Sequence, residues 1–311
     1  MNQLAVSSSP HIRSARTTQT VMRDVLIALL PASIAAIIIF GWYSLALIAI
    51  CVAAAVLSEF LFNLACKKEQ TISDLSAAVT GLILALNLPK SVELWQAAIG
   101  AAVAIVVVKG LFGGIGKNFA NPALVGRIVL FLSFTSYMTA ADPTVTFVDA
   151  ASGATPLSGG DPSLLQLFFG LHGGSIGETC ALALIIGGIY LLARRIITWH
   201  IPVTFVGTIM LCSLIAGGDP IRQALSGGLL LGAIFMATDY VTSPATPWGK
   251  VIFGIGCGLI TAVIRLFGSY PEGVSFAILL MNILNPYIEK WTVRRPLGTS
   301  RAKKVKGGEA K

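Results

Sequence analysis

Residues 81–89 read GLILALNLP and residues 232–240 read GAIFMATDY. Each opens on glycine, runs apolar and carries a polar residue near its end. Each is too short to span ~30 Å of hydrocarbon by itself. Laid on one another, they bring further stretches into rough register. LFGG (111–114) falls opposite LFGS (266–269) and NPALVG (121–126) opposite FAILLM (276–281), the offset drifting from about 151 to 155 residues. Five apolar blocks lie in each half. With an odd number of spans per copy, the second copy enters the membrane from the opposite side, so the repeat is inverted. Repeats of this kind place their working elements where short, broken helices meet.

The composition agrees. The 311 residues are 55% hydrophobic and 12% charged, with mean hydropathy +0.81. Soluble domains carry roughly 25% charged residues. The fold class is therefore an all-α polytopic membrane protein with about ten transmembrane helices in two inverted five-helix repeats. The expected helices lie near 25–41, 43–65, 75–88, 95–115, 122–139, 177–194, 201–217, 223–238, 250–267 and 274–290. The third and eighth are short and interrupted by Gly81, Gly227, Gly228 and Gly232, which such spans tolerate only when buried against other helices or lining a cavity. The divisions are an N-terminal segment (1–24), a first repeat (25–139), a loop (140–176), a second repeat (177–290) and a basic tail (291–311). The first 24 residues are polar and do not read as a cleavable signal peptide.

The net charge of +8 sits in short clusters between apolar blocks, as topology signals do, and does not read as a nucleic-acid surface. With the N-terminus in the cytoplasm, 19 of the 22 Lys and Arg fall at cytoplasmic ends, Lys109 and Arg127 among them; Lys90, Arg222 and Arg265 fall opposite. Both termini are then cytoplasmic in a bacterial or archaeal inner membrane, and the tail from Arg294 faces anionic lipid, a partner subunit or solvent. The loop 140–176 contains no Lys or Arg and lies on the extracytoplasmic side. The five cysteines form no C-x-x-C pair and read as small buried hydrophobes.

Charges near the spans admit two readings. A charge inside hydrocarbon costs at least ~2.5–3.5 kcal/mol and so faces a partner or water. Asp239, with the ring of Phe235 nearby, is either on an ion pathway or at a helix end in the headgroups. Glu59, Asp74 and Arg265 read as helix ends reaching the interface.

Residues 149–157 read DAASGATPL. Gly, Ser and Pro suit a plain turn. A nucleophile site fails for want of a base, since the histidines are His11, His172 and His200, and His172 has no third residue to orient it. A modification site remains. Thr155 sits between small neighbours and Pro156, open to an enzyme that transfers a phosphate-bearing group onto its hydroxyl.

The stretches SAAVTGLILALNLP (76–89), GGIGKNFANPALVGR (113–127), DAASGATPL and FMATD (235–239) resemble, in order, the family that contains the D-type membrane component of the Rnf complex, an ion-translocating ferredoxin–NAD oxidoreductase. The same family holds the B-type component of the sodium-pumping NADH–quinone oxidoreductase. The resemblance covers about 25–290, and the short N-terminal region favours the Rnf member. It implies FMN joined to Thr155 by a phosphoester, installed by a separate flavin transferase. Ser152, Gly153 and Ala154 would shape the loop and offer N–H groups to the phosphate. Asp149 would assist the transfer or hold the turn. Relatives also imply a second, noncovalent flavin, riboflavin. The sequence has neither a dinucleotide fingerprint nor its own iron–sulfur cysteines, so electrons would arrive from partner subunits. The resemblance implies that these are other membrane and iron–sulfur subunits and that the transfer is coupled to sodium or proton movement. The ion path would follow the repeat interface past Phe235 and Asp239. The alternative from another class is a secondary transporter or channel without a flavin, in which SGAT is only a turn.

Overall fold

The computed structural model describes residues 16–139, 162–268 and 273–293. Among these the secondary structure is helical. The first half comprises α1 (Thr18–Phe40), α2 (Trp42–Ala65), a 3-10 turn (Ile72–Asp74), α3 (Ser76–Leu86), α4 (Leu94–Val103, continuing as a π-helix over Ala104–Gly110), α5 (Pro122–Ser133) and α6 (Thr135–Thr139). After α7 (Leu164–Phe169), the second half comprises α8 (Ala181–Ala193), α9 (His200–Ile215), α10 (Pro220–Leu225) and α11 (Leu229–Leu231, continuing as a π-helix over Gly232–Met236). It ends with α12 (Pro247–Phe267) and α13 (Val274–Thr292).

Several starts are set by local chemistry. Thr17 and Thr20 form a reciprocal cap, so α1 begins seven residues before the expected 25. Asn121, Asp219 and Thr246 each cap a helix whose first residue is proline, where the missing N–H costs nothing. One residue, Gly41 at φ +81°, joins α1 to α2.

α1, α2 and α12 are each long and apolar enough to cross a membrane; α3, α4, α5, α8 and α9 are shorter apolar helices. The side-chain pattern is that of a helix in lipid. α1 buries Ala28, Ala32 and Ala36 and exposes Ile27, Leu30, Ile34 and Ile38. Small residues inward permit close backbone approach, and large apolar ones outward suit hydrocarbon.

The two halves share an order of packing. α2 packs on α3 and α4, while α9 packs on the 232–236 turn and α12. α4 packs on α5, as α12 does on α13, and α1 meets α8 as α5 meets α13. The expected eighth helix is in fact two pieces, broken at Ser226–Gly228. Arg265 clamps the break, donating to the carbonyls of Gln223 (2.8 Å) and Ser226 (2.9 Å). Gly81, by contrast, does not interrupt α3. A Cβ there would stand 2.7 Å from Cys51 O, so this glycine serves close contact with α2.

The expected sixth helix starts at Ala181, not 177. The chain before it has another use. Ile176 N donates to Leu88 O (3.0 Å) and Gly177 N to Leu86 O (2.8 Å), satisfying carbonyls at the end of α3.

Candidate functional site

A cavity of about 310 Å³ lies between the halves, walled by α1, α3, α8, the 232–236 turn and the chain around 115–122. The two short stretches 81–89 and 232–240 both contribute, through Ile83 on one side and Phe235, Thr238 and Asp239 on the other. Phe235 is buried. Its ring is fixed against α8, because a Cβ at Gly187 would stand 3.0 Å from Phe235 Cζ and would collide with Ala28 O. Asp239 is half-buried in the turn after the span and accepts from Thr242 Oγ1 (3.1 Å). Burial pushes its carboxyl above the usual range, against the lowering pull of Thr242 and the backbone of Val241 and Tyr240.

The walls are mostly apolar, and their polar groups are few and convergent. Thr80 and Thr238 turn their hydroxyls back on their own helices, to Ser76 O (3.0 Å) and Ile234 O (2.6 Å). Asn121 is committed too, its Oδ1 capping Ala123 N at 3.0 Å and its Nδ2 donating to Met236 O at 3.3 Å. Asn118 Oδ1 is buried with no hydrogen-bond partner. Ser76, Lys109, Thr18 and Tyr240 also belong to the polar lining.

Two buried ion pairs flank the cavity's helices, and both revise the expectations from sequence. Glu59 does not reach an interface. It is 4% exposed, with Oε1 2.6 Å from Lys109 Nζ. Asp74 holds the start of α3, accepting from Ser76 N (2.8 Å) and from the Ser76 hydroxyl. Arg127 is not a solvent-facing flanking charge. Buried in α5, it reaches Ser275 Oγ (2.7 Å), Asn87 Oδ1 (3.3 Å) and Glu178 Oε1 (3.4 Å). Lys109 and Arg127 are therefore buried and paired with carboxylates in the protein interior. Both sit within apolar runs, AIVVVKG and ALVGRIVLF, and that embedding is the signal that sets them apart from flanking basic residues.

At the outer edge, Arg194 joins α8 to α1 through Asp24 Oδ2 (3.0 Å). Cys51 and Cys257 are buried, as expected of small hydrophobes, but Cys66 is exposed. His172 is buried, which lowers its imidazole below the ordinary value, opposed by the backbone of Gly173 and Thr179. Asp149, Ser152, Gly153, Ala154 and Thr155 lie outside the described residues.

The model of the NQR2, RnfD, RnfE family matches residues 5–298. The chain belongs to this family. Among its relatives, the D-type subunit of the Na(+)-translocating ferredoxin:NAD(+) oxidoreductase complex of Acetobacterium woodii is 48% identical, covering 98% of this chain and 99% of its own. Its counterpart in the proton-translocating ferredoxin:NAD(+) oxidoreductase complex of Clostridium ljungdahlii is 39% identical over 96% and 98%. The counterpart in the ion-translocating oxidoreductase complex of Escherichia coli is 34% identical over 94% and 98%. The NQR2, RnfD, RnfE membership agrees with the resemblance carried by residues 76–89, 113–127, 149–157 and 235–239, and with described residues whose secondary structure is helical and includes helices of membrane type.

Proposed function

We propose that this chain is the D-type membrane subunit of a redox-driven ion-translocating ferredoxin–NAD oxidoreductase complex. In this reading it carries FMN on Thr155 and works with other membrane and iron–sulfur subunits to couple electron transfer to sodium or proton movement. The observation that carries the reading is DAASGATP at 149–156 in a chain of this family. The donor chemistry fits a flavin phosphoester. Thr155 would supply the hydroxyl, Gly153 and Ala154 are small enough to leave room for a bulky substituent, and Ser152 with the neighbouring N–H groups would serve the phosphate. Asp149 has the wrong charge to bind phosphate and would instead serve the flavin transferase or hold the turn.

The central cavity suits the second flavin, riboflavin. The orphaned Asn118 Oδ1 would accept from a ring N–H, and Phe235 would offer an apolar wall. Bound flavin supplies reversible electron storage at its ring. The chain's part would be to hold that ring between α3 and the 232–236 turn and to exclude water with α1 and α8, with Asp239 on the lining.

The recurring order of helices in the two halves supports ten spans in two inverted repeats. The five tryptophans support their limits: Trp42, Trp95, Trp199, Trp248 and Trp291 all lie at or next to helix ends and are exposed, as an interfacial belt requires. With the N-terminus cytoplasmic, the 140–176 loop and Thr155 lie outside. The ion then passes the interface of the halves, near Phe235 and Asp239.

The test is a denaturing gel of protein made alongside its flavin transferase. The expected result is in-gel flavin fluorescence that Thr155→Ala abolishes at normal expression, with the Thr155 peptide heavier by FMN less water. A bare Thr155 peptide overturns the reading. It would favour the secondary transporter without a flavin, which a cavity between repeated halves also fits.

A further inference from the structure

A smaller cavity of about 100 Å³ lies beside the central one, lined by Glu59, Asn63, Lys68, Glu69 and Thr71. Lys109 lines both. Its Nζ donates to Glu59 Oε1 at 2.6 Å, on the smaller cavity, and to Ser76 Oγ at 2.5 Å, on the central one. Thr71 Oγ1 donates to the same Glu59 oxygen at 2.5 Å, and Asn63 Nδ2 to Thr71 Oγ1 at 3.1 Å. The second carboxylate oxygen, Glu59 Oε2, is buried without a hydrogen bond. The side chains of Glu59 and Lys109 are each 5% exposed.

A half-satisfied carboxylate in a protein interior is a poor way to gain stability, because its desolvation is not fully offset. A hydrophobic pair of the same volume would often pack at least as well. The lysine also lies on the widened turn of α4 (Ala104–Gly110), and π-turns recur at working positions in helices. The unpartnered oxygen belongs to a residue of the smaller cavity, and the ammonium reaches the edge of the larger.

We propose that Glu59 and Lys109 form a proton relay joining the two cavities. Lys109 releases one ammonium proton to an acceptor in the central cavity. The Glu59 carboxylate takes a proton from hydronium in the smaller cavity and, now a carboxyl, passes it to the neutral amine. One proton enters for each delivered, and both side chains regain their starting charges. Ser76, held by Asp74, keeps Nζ aimed at the central cavity. Lys68 and Glu69 stand on the entry side and Asp239 on the exit side, so these groups shape the pH response as well. The relay rests on the reading of the central cavity as a place of redox chemistry.

The test uses the purified complex with a Glu59→Gln/Lys109→Gln double variant, in which a neutral hydrogen-bonded pair replaces the ion pair and preserves packing. Riboflavin content and thermal midpoint should match the parent. Ferredoxin–NAD electron transfer should fall ~100-fold with a larger solvent deuterium isotope effect. A carboxyl band in the parent's redox-difference infrared spectrum should vanish. An unchanged rate overturns the relay, as does a slower rate with an unchanged isotope effect. Loss of riboflavin from the variant assigns the pair to the cavity wall and also overturns it. The two readings fail separately: a parent complex without noncovalent riboflavin removes the flavin from the cavity, whereas the isotope effect and carboxyl band report on the relay itself.

Discussion

Replacing Arg127 with alanine should be among the most damaging single changes in the described core. Arg127 and Glu178 side chains are 6% and 2% exposed, and the guanidinium also donates to Ser275 and Asn87. Arg127→Ala takes the cation from beside a carboxylate that has almost no access to water. Breaking a buried pair in this way costs about 3–5 kcal/mol. At roughly 2–4 °C per kcal/mol, the thermal midpoint in detergent should drop by roughly 6–20 °C. The double variant Arg127→Met/Glu178→Gln removes the stranded charge and should recover most of that loss. A fall below about 1 kcal/mol in the single variant, or a double variant as unstable as the single, would refute the assignment of the pair to the core.

Gly187→Ala should part α1 from α8 and shift the Phe235 ring, lowering stability by about 1–3 kcal/mol and depleting noncovalent flavin, read by melting and by flavin extraction. Asp239 titrates with the opposite sign to a salt-bridged carboxylate. Its folded pKa is raised, so the folded state binds the proton more tightly, and a penalty grows as pH rises from the unfolded value through the folded one. Asp239→Asn should therefore flatten the fall in thermal midpoint between acid and neutral pH; an unchanged slope would count against it. Asp24→Asn should cost less than about 1 kcal/mol in the same melt, since its partner Arg194 is largely exposed.

The pairing of 81–89 with 232–240 marks the central cavity's two short walls from sequence, because small and polar residues inside apolar runs report a helix that cannot face lipid. Phe235 and Asp239 are legible for that reason, and the structure brings both to the cavity. Lys109 and Arg127 defeat a count of basic residues, which weighs only proximity to a helix end. Their fate depends instead on carboxylates 50 or more residues away, Glu59 and Glu178. Asn118 carries no signal at all, since only the fold shows that its oxygen lacks a partner. The late start of α8 is equally hidden. Residue 177 reads as the first of a helix, but the carbonyls of Leu88 and Leu86 take the N–H groups of 176 and 177 instead.

Those two hydrogen bonds act as a mooring line. The chain leaving the Thr155 stretch is tied, about twenty residues on, to the last turn of the helix that forms one wall of the central cavity. Any pull on that chain is felt by α3 before it is felt by α8. The Ile176 and Gly177 amides should consequently exchange with deuterium more slowly than the residues just before them, and equally fast exchange would mean the line is slack.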